Sequence, residues 1–92
     1  MDKFYLYIAV DSHNEILDIG VTVSLHRRHK LFQAVFELPY KFVYFEEYNS
    51  SKKATIRENK LKGMPKHLLK KLIEENNPAY KHLLTKDNDI NN

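Results

Sequence analysis

Ninety-two residues without a single cysteine leave no room for a second hydrophobic core, which needs roughly 50 residues more, and exclude disulfides, thiolate catalysis and cysteine-held zinc. Apolar residues at 42% and charged residues at 29% are ordinary for a folded domain, so disorder and a collagen-like repeat are excluded. The net charge of +3 hides a polarised chain: between Lys52 and Lys71 eight basic residues stand with one acid, Glu58, so that window carries +7 and the rest of the chain −4. A local positive field of that size attracts a polyanion such as nucleic acid, although a solvated lysine-rich helix face has the same composition. No apolar run approaches the roughly 18 residues that span a bilayer, and the apolar run after Lys3 lacks a small-residue cleavage site. Neither a membrane partner nor secretion is expected, and the expected compartment is the cytoplasm.

In chain order, Phe4 to Val10 (FYLYIAV) is branched and aromatic, is too short for a helix, and is followed by the turn-prone Asp11 to Asn14; it predicts a strand. Ile16 to Thr22 (ILDIGVT) predicts a second strand, antiparallel to the first across a hairpin-length loop. Ser24 or Thr22 can cap a helix running to about Phe36, before Pro39. Lys41 to Tyr48 predicts a third strand, and Asn49 to Ser51 supply caps for a second helix that ends near Lys62, before Gly63. Pro65 opens a third helix, to about Asn76, with Leu68, Leu69, Leu72 and Ile73 at helical spacing. Beyond Asn77-Pro78 a short segment with Tyr80, Leu83 and Leu84 should dock back, leaving 85–92 as a polar tail. The order ββαβαα on a three-stranded antiparallel sheet is a small α/β (α+β) single domain over residues 1–84.

Several polar residues interrupt these patterns. At 100° per residue the first helix gathers Leu25, Leu31, Phe32, Val35 and Phe36 on one face, with Arg28 in the middle of the stripe and Arg27 and Lys30 pointing away. A guanidinium on a packed face must be paired or must reach an anion; the alternatives are a snorkelling stem or an internal salt bridge. Glu58 shares a face with Ala54 and Leu61 at i, i+4 and i+7, so it reads either as an ion pair with a lysine or Arg28, or as a metal ligand. Strand alternation puts Leu6, Ile8 and Val10 opposite Tyr5, Tyr7 and Ala9, and Leu17, Ile19 and Val21 opposite Ile16, Asp18, Gly20 and Thr22. Asp18 is disfavoured inside an apolar strand, and Gly20 permits close backbone approach. The pair His26 and His29 has i, i+3 spacing for zinc, but without further ligands it reads as solvent-facing or phosphate-contacting. Tyr5, Phe42, Tyr44, Phe45 and Tyr48 read chiefly as core, with base stacking the alternative.

Tyr5-Leu6-Tyr7-Ile8, Asp18-Ile19-Gly20-Val21-Thr22, Ser24 to Arg28, Ala54 to Lys62, and Leu72-Ile73 with Asn77 to Tyr80 together resemble the GIY-YIG nuclease superfamily, and in particular its small stand-alone bacterial members. The resemblance covers about residues 4–84. Tyr7 matches the first-motif tyrosine, with Tyr5 and Leu6 where Gly and Ile would be. Asp18 stands where the second motif has its tyrosine, followed by the expected Ile19 and Gly20. Arg28 matches the catalytic arginine and Glu58 the metal-binding glutamate, while Phe32 occupies a place where many small members have histidine.

The resemblance implies a DNA endonuclease, a phosphodiester hydrolase using one divalent ion, Mg²⁺ or Mn²⁺, held by Glu58. Arg28 would stabilise charge on the phosphoryl oxygens and Tyr7 would orient the water or phosphate. Asp18 would accept a proton in place of the missing tyrosine, become a second metal contact, or repel phosphate. DNA, or RNA in second place, would lie on Lys52, Lys53, Arg57, Lys60, Lys62, Lys66 and Lys70. Two alternatives keep the scaffold without the chemistry: a degenerate nucleic-acid-binding module, and a protein-interaction or immunity-type domain.

Overall fold

The computed structural model describes residues 3–84. Its elements are β1 (Phe4–Asp11), β2 (Ile16–Thr22), α1 (Leu25–Val35), β3 (Tyr40–Tyr48), α2 (Ser51–Lys62) and α3 (Lys66–Asn76). The sheet is antiparallel in the order β2-β1-β3, so the ββαβαα α+β architecture expected from the sequence is the one found. The polar tail at 85–92 lies outside the described residues. Among the described residues no helix is long and apolar enough to cross a membrane.

Local chemistry accounts for the boundaries. Asp11 Oδ1 accepts the backbone N–H groups of His13 at 2.8 Å and Glu15 at 3.0 Å, and Asn14 takes the left-handed position at φ 63°, which closes the β1–β2 hairpin. Ser24 caps α1 by accepting from Arg27 N at 3.2 Å, and Ser50 caps α2 by accepting from Lys53 N at 3.3 Å. Gly63 ends α2 without a left-handed turn, at φ −88°. Pro65 occupies the cap of α3 rather than its first turn, and its carbonyl accepts from Leu68 and Leu69.

The central strand β1 is buried from Leu6 through Val10 and divides the interior into two layers. Leu6, Ile8 and Val10 meet Leu61 of α2 and Leu69 and Ile73 of α3 on one side. Tyr7 and Ala9 meet Leu25 and Phe32 of α1, together with Phe42 and Leu84, on the other. Each such fully buried aliphatic side chain contributes about 1.5 to 3 kcal/mol relative to an exposed one.

Two irregularities alter the expected faces. In β2, Asp18 pairs with Ala9 and Ile16 with Val10, so Leu17 is an extra, bulged residue. Ile16 therefore packs on the α2–α3 core in its place, and Leu17 is exposed. In β3, Tyr44 pairs with Ile8 and Phe42 with Ala9, so Val43 is the extra residue and joins Tyr44 in the α2–α3 core. The apolar stripe of α1 is also covered less than its periodicity predicts. Leu25 and Phe32 are buried, but Leu31 is 53%, Val35 63% and Phe36 37% exposed, because α1 is an outer helix and only its Leu25–Arg28–Phe32 line faces the sheet. On α3, Leu68 is likewise exposed while Leu72 is half-buried.

The segment after α3 docks as expected, with Tyr80 and Leu84 buried. Leu83 N donates to Phe42 O at 2.8 Å, and Phe42 N donates to His82 Nδ1 at 3.0 Å, so the segment satisfies the outer backbone groups of β3 at Phe42.

Candidate functional site

Tyr7, in the middle of β1, is 0% exposed. Its ring lies over Gly20, its cross-strand partner on β2, and meets Phe32 and Phe42 edge-on at 6.0 and 5.2 Å between centroids. The hydroxyl donates to Asp18 Oδ2 at 2.7 Å and accepts from Arg28 Nη1 at 2.8 Å. Arg28 also reaches Val21 O with Nη2 at 3.5 Å, and its guanidinium carbon lies 5.6 Å from the Tyr7 ring centre. The two residues that broke the apolar patterns, Asp18 and Arg28, are thus opposite charges joined through one buried phenol. Burial, followed by the hydrogen bond and charge of Asp18, pushes the Tyr7 phenol far above its ordinary range, against the opposing effect of Arg28. The phenol keeps its proton throughout the physiological range.

Glu58 sits on the α2 face that carries the buried Ala54 and Leu61, with 19% of its side chain exposed, and its Oε2 lies 3.0 Å from Lys62 Nζ. Of its two readings, the ion pair with a lysine is formed, and Arg28 is not the partner. Lys62 and Asp18, with Lys66, line a common groove of about 460 Å³ along the outer side of β2, floored by Ile16 and Leu69. Tyr7, Asp18 and Arg28 are therefore brought into direct contact, whereas Glu58 approaches from the α2–α3 layer and is linked to the groove through Lys62.

Among the described residues no three His, Cys, Asp or Glu side chains converge into a metal cage. The donor set fits an ion of the Mg²⁺ type, which keeps most of its waters and takes one or two carboxylates beside substrate phosphate oxygens. Glu58 offers one carboxylate, whose lysine partner is itself 52% exposed and so easily displaced. His29 is half-buried, and its ring packs against Tyr40, Phe42 and His82 at 5.8, 5.8 and 5.1 Å.

On the basic surface, Lys52, Lys53, Lys60 and Lys66 are exposed, while Lys70 pairs with Glu15 at 2.8 Å. Arg57, partly exposed, pairs with Glu46. Glu46 on β3 accepts from Arg57 Nε and Nη2, each at 3.0 Å for the shorter contact, from the Tyr48 hydroxyl at 2.6 Å, and from Tyr44. Burial raises the Glu46 carboxyl, but the bonds from Arg57, Tyr44 and Tyr48 outweigh it and leave it below the usual glutamate range. Tyr44 is pushed up to about 12 by burial and by Glu46. This hub was not anticipated from the sequence; its only linear trace is the period-two pattern Tyr44, Glu46, Tyr48 on one strand face.

No protein-family model matches the sequence, and no curated protein matches it. A solution NMR structure of a UPF0213 protein from Bacillus halodurans does, with a TM-score of 0.60 at 18% identity, over 87% of this chain and 92% of that one. At that identity the likeness shows that the two chains share a fold.

Proposed function

We propose that the protein is a divalent-metal-dependent nuclease that hydrolyses DNA phosphodiester bonds in the groove beside β2. The observation that carries this reading is the Arg28 guanidinium, held against the Tyr7 hydroxyl, which in turn donates to Asp18; Asp18 also lines a groove with Lys62 and Lys66. The fold shared with the UPF0213 protein and the resemblance of the motifs to the GIY-YIG nucleases support it. Of the five N–H donors of a guanidinium, two are used in the fold. The others would meet the non-bridging oxygens as charge builds on them. Glu58 would hold Mg²⁺ or Mn²⁺, whose chemistry when bound is to stabilise charge on the leaving oxygen. The exposed Lys52, Lys53, Lys60 and Lys66 would bind flanking phosphates, with Lys62 and Lys70 joining them as their ion pairs open. Arg57 would act indirectly, by fixing α2 against β3.

The test is incubation of the purified protein with supercoiled plasmid and with branched DNA in the presence of Mg²⁺ or Mn²⁺. Cleavage is expected, and Arg28→Ala and Glu58→Gln should abolish it while leaving DNA binding intact. Undiminished cleavage by Glu58→Gln removes the metal role. A second reading, a binding module without catalysis, is favoured by the negative charge that Asp18 places at the site. It predicts salt-sensitive DNA or RNA binding with no cleavage in any metal, weakened when Lys52, Lys53 and Lys66 are reversed to Glu.

A further inference from the structure

We infer that the general base of this site is the Asp18 carboxylate, and that Tyr7 is a positioning residue that holds it. The inference rests on the phosphodiester-hydrolysis reading and assigns its proton transfer.

A base must touch the water it deprotonates. Tyr7 is 0% exposed, enclosed by Phe32, Phe42 and the backbone of Gly20, and its hydroxyl is engaged as donor to Asp18 and as acceptor from Arg28. No surface of it is left for a nucleophile. Its proton is also held tightly by burial and by Asp18, so phenolate is not available near neutrality. Asp18 has the opposite properties. It is half-exposed, it lines the groove, and only its Oδ2 accepts a bond from the described residues, which leaves Oδ1 for water. The charged and titratable groups facing it are Tyr7 from β1, Arg28 from α1 through that phenol, and Lys62 and Lys66 across the groove.

The step then balances without another reagent. A water in the groove gives one proton to Asp18 as its oxygen forms the new bond to phosphorus. The bond from phosphorus to the leaving sugar oxygen breaks, and that oxygen takes a proton from solvent. Asp18 returns its proton to solvent to complete the cycle. Tyr7 donates to the carboxylate throughout and keeps its own proton, while Arg28 fixes the phenol from the other side.

Cleavage kinetics of wild type, Asp18→Asn and Tyr7→Phe, with folding checked by circular dichroism, test the assignment. Asp18→Asn should lower kcat about 100-fold with KM unchanged. Tyr7→Phe should retain kcat within about tenfold. The reverse pattern, with Tyr7→Phe folded but inactive and Asp18→Asn retaining its rate, overturns the inference. If Asp18→Asn does not fold, Tyr7→Phe decides: retained cleavage supports the assignment, and a loss beyond 100-fold in the folded variant overturns it. A wild type that cuts nothing overturns the nuclease reading and this assignment with it, whereas failure of the assignment alone is seen only in the variants.

Discussion

Gly20 stands directly across the β1–β2 ladder from Tyr7, and the Tyr7 ring occupies the space that any side chain at position 20 would need. A β-carbon there would lie 2.7 Å from Tyr7 Cζ and nearer still to the hydroxyl oxygen. The ring has nowhere to go, because Phe32 and Phe42 pack its edges and Asp18 and Arg28 hold its hydroxyl. Gly20→Ala should therefore destabilise the protein by about 2 kcal/mol through overpacking, lowering Tm by roughly 10 °C. Calorimetric melting checks this, and coincident melts of variant and wild type would show that the ring swings aside at no cost.

The same two residues show what could be read from the letters. Gly20, Asp18 and Arg28 were legible as residues out of place on apolar elements, because period two and period 3.6 are properties of the chain alone. That Tyr7 joins Asp18 and Arg28, and in which direction its proton points, depends on side chains eleven and twenty-one positions away, which no local pattern encodes. The bulges at Leu17 and Val43 escaped for a similar reason, since each is defined by register against β1. Periodicity gave the correct face of α1 but not what covers it, so Leu31 and Val35 were expected inside and are exposed. Arg57 was grouped with the lysines beside it, although its partner Glu46 is on another element. The Glu58–Lys62 pair, by contrast, follows from i, i+4 spacing.

Glu46 should make stability depend on acidity. Its folded carboxyl titrates below the ordinary value of 4.5, so its contribution is fully present above that value and is lost as pH falls through the folded one. Urea unfolding should show wild type losing stability between pH 5 and 3. Glu46→Gln, which keeps the shape but not the charge accepting from Arg57, should cost about 2 kcal/mol at pH 7 and should show a smaller difference between the two pH values. An equal acid loss in both proteins would place the sensitivity elsewhere.

Asn77 fastens the C-terminal segment to the sheet. Its buried amide donates to Val43 O at 3.0 Å and Lys81 O at 2.8 Å, and its oxygen accepts from Lys81 N at 3.0 Å. Asn77→Ala strands these backbone groups and should cost about 2 to 3 kcal/mol. Asn77→Asp, nearly the same in volume, turns a carboxylate toward two carbonyls and should cost at least as much. Denaturation midpoints of the two variants separate this clasp from simple space filling, which predicts that Asp is tolerated better than Ala.

Lys62 and a divalent cation compete for the same carboxylate. Lys62 Nζ lies 3.0 Å from Glu58 Oε2, with half of the lysine side chain in solvent, and an i, i+4 pair of this kind is worth only about 0.3 to 0.5 kcal/mol. A hydrated Mn²⁺ should therefore displace it readily. Lys62→Met removes both the competitor and a positive charge that repels the ion, so Mn²⁺ should bind about twofold to fivefold more tightly, whereas Glu58→Gln should abolish that binding. DNA affinity should move the other way in Lys62→Met, because the groove beside Asp18 loses one of its cations. Mn²⁺ titration by electron paramagnetic resonance, alongside DNA binding at two salt concentrations, measures both effects. Unchanged Mn²⁺ affinity in Lys62→Met and Glu58→Gln alike would move the metal away from α2, and with it the leaving-group chemistry assigned to this groove.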